Sequence, residues 1–146
     1  MLLNKIPLSL YVHLPWCETQ CPYCDFSITT EPTDGNDARL AEAIINDIKH
    51  SNGFIANRKF KSVYFGGGTP SLASNQSIKQ ILDSVKDRLE SSETEITLEM
   101  NPNDVSEKKV EGLLAAGINR ISLGIQSYSD KELQALGRNH DRKSAI

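Results

Sequence analysis

All three cysteines of this chain, Cys17, Cys21 and Cys24, fall in one short stretch, HLPWCETQCPYCDF, at the spacing C-x3-C-x2-C. Thiolates this close together read as metal ligands, and two metal chemistries compete for them. Zinc takes four nitrogen or sulfur ligands, and its structural sites favour closely spaced pairs. Reaching four here would require His13, and no second cysteine pair is present. An iron–sulfur cluster instead takes one thiolate per iron. Three thiolates on a four-iron cluster leave one iron open to a small molecule that brings its own nitrogen and oxygen. A third reading, buried and inert cysteines, sits badly with neighbours such as Pro15, Glu18, Gln20, Pro22 and Asp25. A disulfide framework fits poorly with an odd count.

The bulk composition removes other classes. The 16 Lys+Arg and 19 Asp+Glu give a net charge of −3. Neither half of the chain is strongly basic or acidic, so no nucleic-acid surface and no solvating tail is expected. No apolar run approaches the roughly 20 residues of a membrane span. MLLNKIPLSLY lacks the long apolar stretch of a signal peptide. A cytoplasmic location is the resulting expectation, and reducing conditions there again disfavour disulfides.

A cysteine loop needs a scaffold, and the hydrophobic periodicity supplies one. Strand-like runs at residues 8–14, 62–66, 95–100 and 120–126 alternate with helical patterns. The first helix, residues 37–50, carries a stripe of Leu40, Ala41, Ile44, Ile45 and Ile48. The second follows Asn75 as N-cap, with Ile78, Ile81, Leu82, Val85 and Leu89 on one face. Ser106 caps the third, whose stripe is Val110, Leu113 and Leu114 and whose end is marked by Gly117. Ser129 and Glu132 stand at capping-box spacing before a last short helix ending near Gly137. Residues 30–36 form a polar loop. The rhythm predicts parallel βαβ units, an α/β fold.

Three of the four strands carry one apolar face and one polar or small face. Ser9, Tyr11 and His13 oppose Leu8, Leu10, Val12 and Leu14; Glu95, Thr97 and Glu99 oppose Ile96, Leu98 and Met100; Ser122, Gly124 and Gln126 oppose Ile121, Leu123 and Ile125. Strands covered by helices on both sides read apolar throughout. The pattern predicts either a polar lumen or an open sheet with one wet face. The C-terminal strand ends carry the cysteine loop, GGGTP (66–70), EMNP (99–102) and GIQS (124–127). This is the edge where α/β folds place their chemistry.

The C-x3-C-x2-C motif, with the aromatic Tyr23 before its last cysteine, resembles the cluster motif of the radical S-adenosylmethionine superfamily. The resemblance implies a [4Fe–4S] cluster on Cys17, Cys21 and Cys24, with the cofactor's methionyl amino and carboxylate groups on the open iron. It also implies a partial TIM-like (β/α)6 barrel, of which about the first four βα units are present. Gly66, Gly67 and Gly68, with Thr69, match the segment that meets the methionyl amino group. Glu99 stands where a carboxylate needs hydrogen-bond partners, and ribose hydroxyls would supply them. Gln126 can donate and accept at the same sugar. Arg138 is either a bidentate clamp for a carboxylate or a solvated surface arginine. Tyr11 either fills space or reaches the methionyl end. The resemblance counts Tyr23 among the cofactor-binding residues too.

YVHLPWC…CPYCDF, YFGGGTPS, EMNPND and ISLGIQSYSDKELQALGRNH together resemble one branch, that of oxygen-independent coproporphyrinogen III oxidase and the heme chaperone HemW. The oxidases continue the cluster loop to a fourth cysteine, where this chain has Phe26; that side of the comparison favours HemW. The branch implies heme, heme-accepting respiratory proteins and an electron donor such as flavodoxin or ferredoxin as partners. The runner-up is radical oxidative decarboxylation in porphyrin biosynthesis, and a zinc-binding module is a second alternative. Since the branch's heme region lies further along, residues 1–146 are expected to be the N-terminal part of the core domain. The remaining barrel units and the C-terminal domain would be absent, leaving an unpaired strand edge and an uncovered helix face.

Overall fold

The computed structural model of the protein describes residues 6–30 and 34–146. Its strands are β1 (Leu8–Leu14), β2 (Phe60–Gly67), β3 (Glu95–Met100) and β4 (Arg120–Leu123). Its helices are α1 (Asp34–His50), α2 (Asn52–Ile55), α3 (Asn75–Val85), α4 (Glu107–Ala116) and α5 (Asp130–Ala135). The four strands form one sheet in the order β1-β2-β3-β4, every pair parallel. The α/β expectation and the four βα units are therefore met.

Register explains why the two sheet faces differ. Val12, Phe65 and Leu98 sit side by side in neighbouring strands, and all three are buried. They meet Ala41 of α1, Ile78, Ile81 and Leu82 of α3, and Leu113 of α4 in one core cluster. Burying each large aliphatic side chain contributes about 1.5–3 kcal/mol. One residue along, Tyr11, Tyr64, Thr97 and Arg120 form the matching row on the opposite face. Strand pleating sends alternate side chains to opposite faces, so the polar row is a direct consequence of the alternation in sequence.

Several expectations need correction. Residues 31–33 of the predicted polar loop lie outside the described residues, while residues 34–36 already belong to α1. The cap of α3 is Ser74, one residue earlier than Asn75: its Oγ accepts from the Ser77 amide at 3.1 Å. Asp37 of α1 binds the same corner, accepting from Ser77 Oγ at 2.6 Å and the Ser74 amide at 3.2 Å. Ser74→Ala is therefore expected to cost about 1 kcal/mol in urea unfolding. Leu89 leaves the α3 stripe because the helix tightens at Lys86–Arg88 and Leu89 bridges to Phe60. β4 stops at Leu123, short of residue 126, because after a last rung from the Gly124 amide to the Met100 carbonyl the Ile125 amide turns back to the Leu123 carbonyl at 3.0 Å. The capping box before α5 does not form. Ser129 makes no side-chain cap, and Glu132 accepts from Ser127 Oγ instead.

Ser106 caps α4 and Gly117 ends it, as predicted. Of the α4 stripe only Leu113 is buried; Val110 and Leu114 are exposed, Leu114 by 68%. Ile121 and Leu123 of β4 are exposed as well. The reason is position. β4 is the last strand in the sheet order, and no further strand covers this side among the described residues.

Candidate functional site

The cysteine loop leaves β1 and is pinned by main-chain bonds. The Cys17 amide donates to the Thr29 carbonyl at 2.9 Å and the Thr29 amide to the Pro15 carbonyl at 2.8 Å. Trp16 and Thr29 pair as an isolated parallel bridge, and Trp16 is buried in the main core cluster. The Cys24 amide closes a tight turn on the Cys21 carbonyl at 3.0 Å. The glycine segment after β2 binds the same loop: the Gly68 amide donates to Leu14 O at 2.8 Å and the Thr69 amide to Trp16 O at 2.6 Å. Close approach is why glycine stands here. A Cβ on Gly68 would lie 2.4 Å from Trp16 O and 2.9 Å from Cys17 Sγ, and Gly67 adopts a φ of +119°, a region that disfavours side chains.

These strand ends enclose a cavity of about 380 Å³. All three cysteines, which are free thiols, line it with Gly67, Gly68, Thr69, Glu99, Asn101, Gln126 and Arg138. Side chains link its walls. Cys17 Sγ lies 3.7 Å from Thr69 Oγ1, which accepts from Asn101 Nδ2 at 3.2 Å. Asn101 Oδ1 accepts from Arg138 Nη2 at 2.6 Å, and Arg138 Nη1 reaches Cys21 Sγ at 3.7 Å. Arg138 Nη2 also donates to the Gly124 carbonyl at 3.0 Å. Gln126 is brought to the rim by a backbone φ of +71°. Arg138 is thus half-buried and anchored, not a solvated surface arginine.

A second network underlies the cavity on the polar face. Tyr64 donates to Glu99 Oε1 at 2.7 Å, and that bond holds its hydroxyl above the ordinary phenol range, with burial adding. Tyr11 stacks on Tyr64, ring centroids 6.3 Å apart. His13 Nε2 lies 3.0 Å from Ser27 O, so this nitrogen carries the proton and donates. His13 Nδ1 then accepts from the Tyr11 hydroxyl at 3.2 Å. Burial, then the Glu99 charge, pushes Tyr11 up as well. Burial chiefly raises Tyr23, with Cys21 beside it adding to the shift. Burial also pushes the Cys17 thiol up; the Thr69 hydrogen bond opposes this, Cys24 and Cys21 reinforce it, and Arg138 opposes it.

Of the predicted site residues, the three cysteines, Tyr23, Gly67, Gly68, Thr69, Glu99, Gln126 and Arg138 line the one cavity. Tyr11 and Gly66 lie outside its wall. A Cβ on Gly66 would come within 3.0 Å of both the Tyr11 and Tyr64 rings and 3.3 Å of Glu99 Oε2. Sequence reasoning left out Tyr64 and did not give Asn101 a role. Tyr64 shares strand parity with Ser62 and Gly66, which was a readable signal. The bonds of Asn101 to Thr69 and Arg138 span loops far apart in sequence, and nothing local announces them.

The donor set fits an iron–sulfur cluster better than a zinc ion. A single zinc draws its ligands to one point, yet among the described residues no three His, Cys, Asp or Glu side chains stand close enough to share one ion. Both ring nitrogens of His13, the one fourth zinc ligand considered, are engaged elsewhere. A four-iron cluster spreads its thiolates over separate corners, which suits three sulfurs around one cavity. Arg138 Nε is buried there without a partner, an open donor for an anionic group such as a carboxylate. The close approach at Gly68 seats the glycine segment against the cysteine loop, beside Cys17 Sγ.

Comparison with known proteins agrees with this geometry. A family model described as the Radical SAM superfamily matches residues 11–146. The heme chaperone HemW of Haemophilus influenzae is 43% identical over 96% of this chain and 39% of its own length. HemW of Escherichia coli is 39% identical over 95% of this chain and 37% of its own. The chain thus spans about two fifths of the length of these relatives. The solved structure of E. coli coproporphyrinogen III oxidase (HemN), a radical SAM enzyme, superposes with a TM-score of 0.81 at 26% identity. That match covers 95% of this chain and 32% of HemN, so the parallel sheet corresponds to part of the HemN radical SAM fold. Among the described residues no helix is long and apolar enough to cross a membrane. The cysteine motif at the end of β1, the glycine segment at the end of β2 and the family match over nearly the whole chain converge: this chain belongs to the radical SAM superfamily.

Proposed function

We propose that residues 1–146 are the N-terminal part of the core domain of a HemW-like heme chaperone. Cys17, Cys21 and Cys24 would hold a [4Fe–4S] cluster. Gly66, Gly67, Gly68, Thr69, Glu99, Gln126 and Arg138, with Tyr11 and Tyr23, would hold S-adenosylmethionine. The observation that carries the reading is that three free thiols share one cavity with the glycine segment and an anchored arginine. When bound, the two groups supply one-electron cleavage of a sulfonium bond. The chain's own part is to bind and orient. Gly67 and Gly68 open the backbone to an amino group, and Arg138 Nε offers a donor to a carboxylate. Tyr64 fixes one oxygen of Glu99, which leaves the other for a ribose hydroxyl. Heme, respiratory heme acceptors, a flavodoxin- or ferredoxin-type electron donor and a cytoplasmic location come with the HemW reading.

The match to HemN favours a second reading, decarboxylation of coproporphyrinogen. Phe26 weighs against it, because it occupies the place of the oxidases' fourth cysteine. The deciding experiment is anaerobic reconstitution of the complete protein, with iron and sulfide analysis and spectra of the reduced cluster with and without S-adenosylmethionine. Heme binding is followed by absorbance, and protoporphyrinogen formation is assayed. Expected are about four irons per chain, a spectral change on adding the cofactor, heme binding and no decarboxylation. One zinc without sulfide would reject the cluster, and sustained decarboxylation would reject the chaperone.

A further inference from the structure

We infer that Asn101 is a positioning residue that aims hydrogen-bond donors at the sulfurs of Cys17 and Cys21, and so raises the reduction potential of a cluster held there. The inference rests on the cluster reading above. It follows from assigning each donor and acceptor. Arginine has donors only, so the Asn101 atom 2.6 Å from Arg138 Nη2 is the carbonyl oxygen. The amide nitrogen must then face Thr69, whose Oγ1 accepts at 3.2 Å. Having accepted that bond, the Thr69 hydroxyl has its own proton to give, and Cys17 Sγ lies 3.7 Å away. A thiolate bound to iron has no proton to return, so the direction of the last bond is fixed.

On the other side, the same Asn101 oxygen and the Gly124 carbonyl hold the guanidinium so that Nη1 points at Cys21 Sγ, 3.7 Å away. One primary amide therefore orients donors toward two sulfurs of the cavity wall. No carboxylate, hydroxyl or aliphatic side chain supplies both an acceptor for arginine and a fixed N–H donor for threonine. Hydrogen bonds to cluster sulfurs favour the more negative, reduced form and raise the potential. The loop around Asn101 does not depend on its side chain. The turn that follows is held by the Asp104 amide on the Asn101 carbonyl at 3.0 Å and by Ser71 on Asp104.

The test is redox titration of the reconstituted complete protein and its Asn101→Ala, Thr69→Val and doubly substituted variants, with iron analysis of each. The single variants are neutral, so no added charge confuses the result. Asn101→Ala is expected to keep the parent's iron content and lower the reduced-to-oxidised ratio at a fixed potential about tenfold, a shift of about 59 mV for one electron. Thr69→Val shifts the potential the same way by less, since the Arg138 bond survives. The double variant shifts less than the sum, because the two share the bond to Cys17. A merely structural Asn101 would lower iron content and leave the potential of the remaining clusters unmoved. That result overturns the inference, as does an unshifted Thr69→Val if Asn101→Ala cannot be loaded. A parent that holds a cluster but shows no shift in either variant overturns this inference alone; a parent without iron and sulfide overturns the cluster reading with it.

Discussion

Cys21→Ala is expected to abolish cluster assembly: iron falls from about four per chain to background, and the cofactor-dependent spectral change disappears. The three cysteines of the chain supply every thiol in the cavity wall. With one removed, two corners would lack protein ligands. Cys21 is the cleanest of the three to remove because the fold makes little use of its side chain. Its sulfur meets Arg138 and lies beside Tyr23, and the turn it starts is held by the main-chain bond between the Cys24 amide and the Cys21 carbonyl. Stability before metal loading should stay within about 0.5 kcal/mol of the parent. Iron and sulfide analysis beside a urea titration separates the outcomes. Retention of about four irons per chain would show that Cys21 is not a ligand.

The second large effect belongs to Gly68→Ala. The added methyl would be 2.4 Å from Trp16 O and 2.9 Å from both Pro15 O and Cys17 Sγ. Two of these neighbours are main-chain atoms, so no rotamer change relieves the contact. The cysteine loop and the glycine segment must separate, breaking bonds such as that from the Thr69 amide to Trp16 O. Overpacking of this kind costs about 1–3 kcal/mol, and every 1.4 kcal/mol taken from the competent loop is about tenfold in its population. Cluster content should therefore fall about tenfold while the sheet persists. Gly53→Ala is the built-in comparison. Nothing lies within 4 Å of its Cβ, so it should leave iron content unchanged. Equal loading of the two variants would show that the close approach at Gly68 is not needed.

Much of this molecule was legible in its residues, and the reasons are specific. β1 and β3 begin and end where alternation begins and ends, at residues 8–14 and 95–100. The cysteine loop announced itself by spacing, and its place after β1 followed from the strand before it. What sequence did not reveal lies in relations between distant segments. Ser74 outcompetes Asn75 as a cap because Asp37, on another helix, binds the same corner. Glu132 abandons its capping role because Ser127 offers it a closer partner. Gln126 reaches the cavity rim only through a left-handed backbone, rare for a non-glycine residue. Val110 and Leu114 have the right spacing for a core stripe, and which part of a stripe becomes buried depends on what stands opposite it.

The main-chain union of the cysteine loop with the glycine segment is made by peptide groups: Gly68 to Leu14 and Thr69 to Trp16. Peptide groups are the same whatever residue carries them. Side chains facing the cavity can therefore be exchanged in evolution without disturbing the frame that sets their mutual spacing. Such a partition lets one scaffold diverge toward new substrates while its sulfur-bearing loop stays in register with the rest.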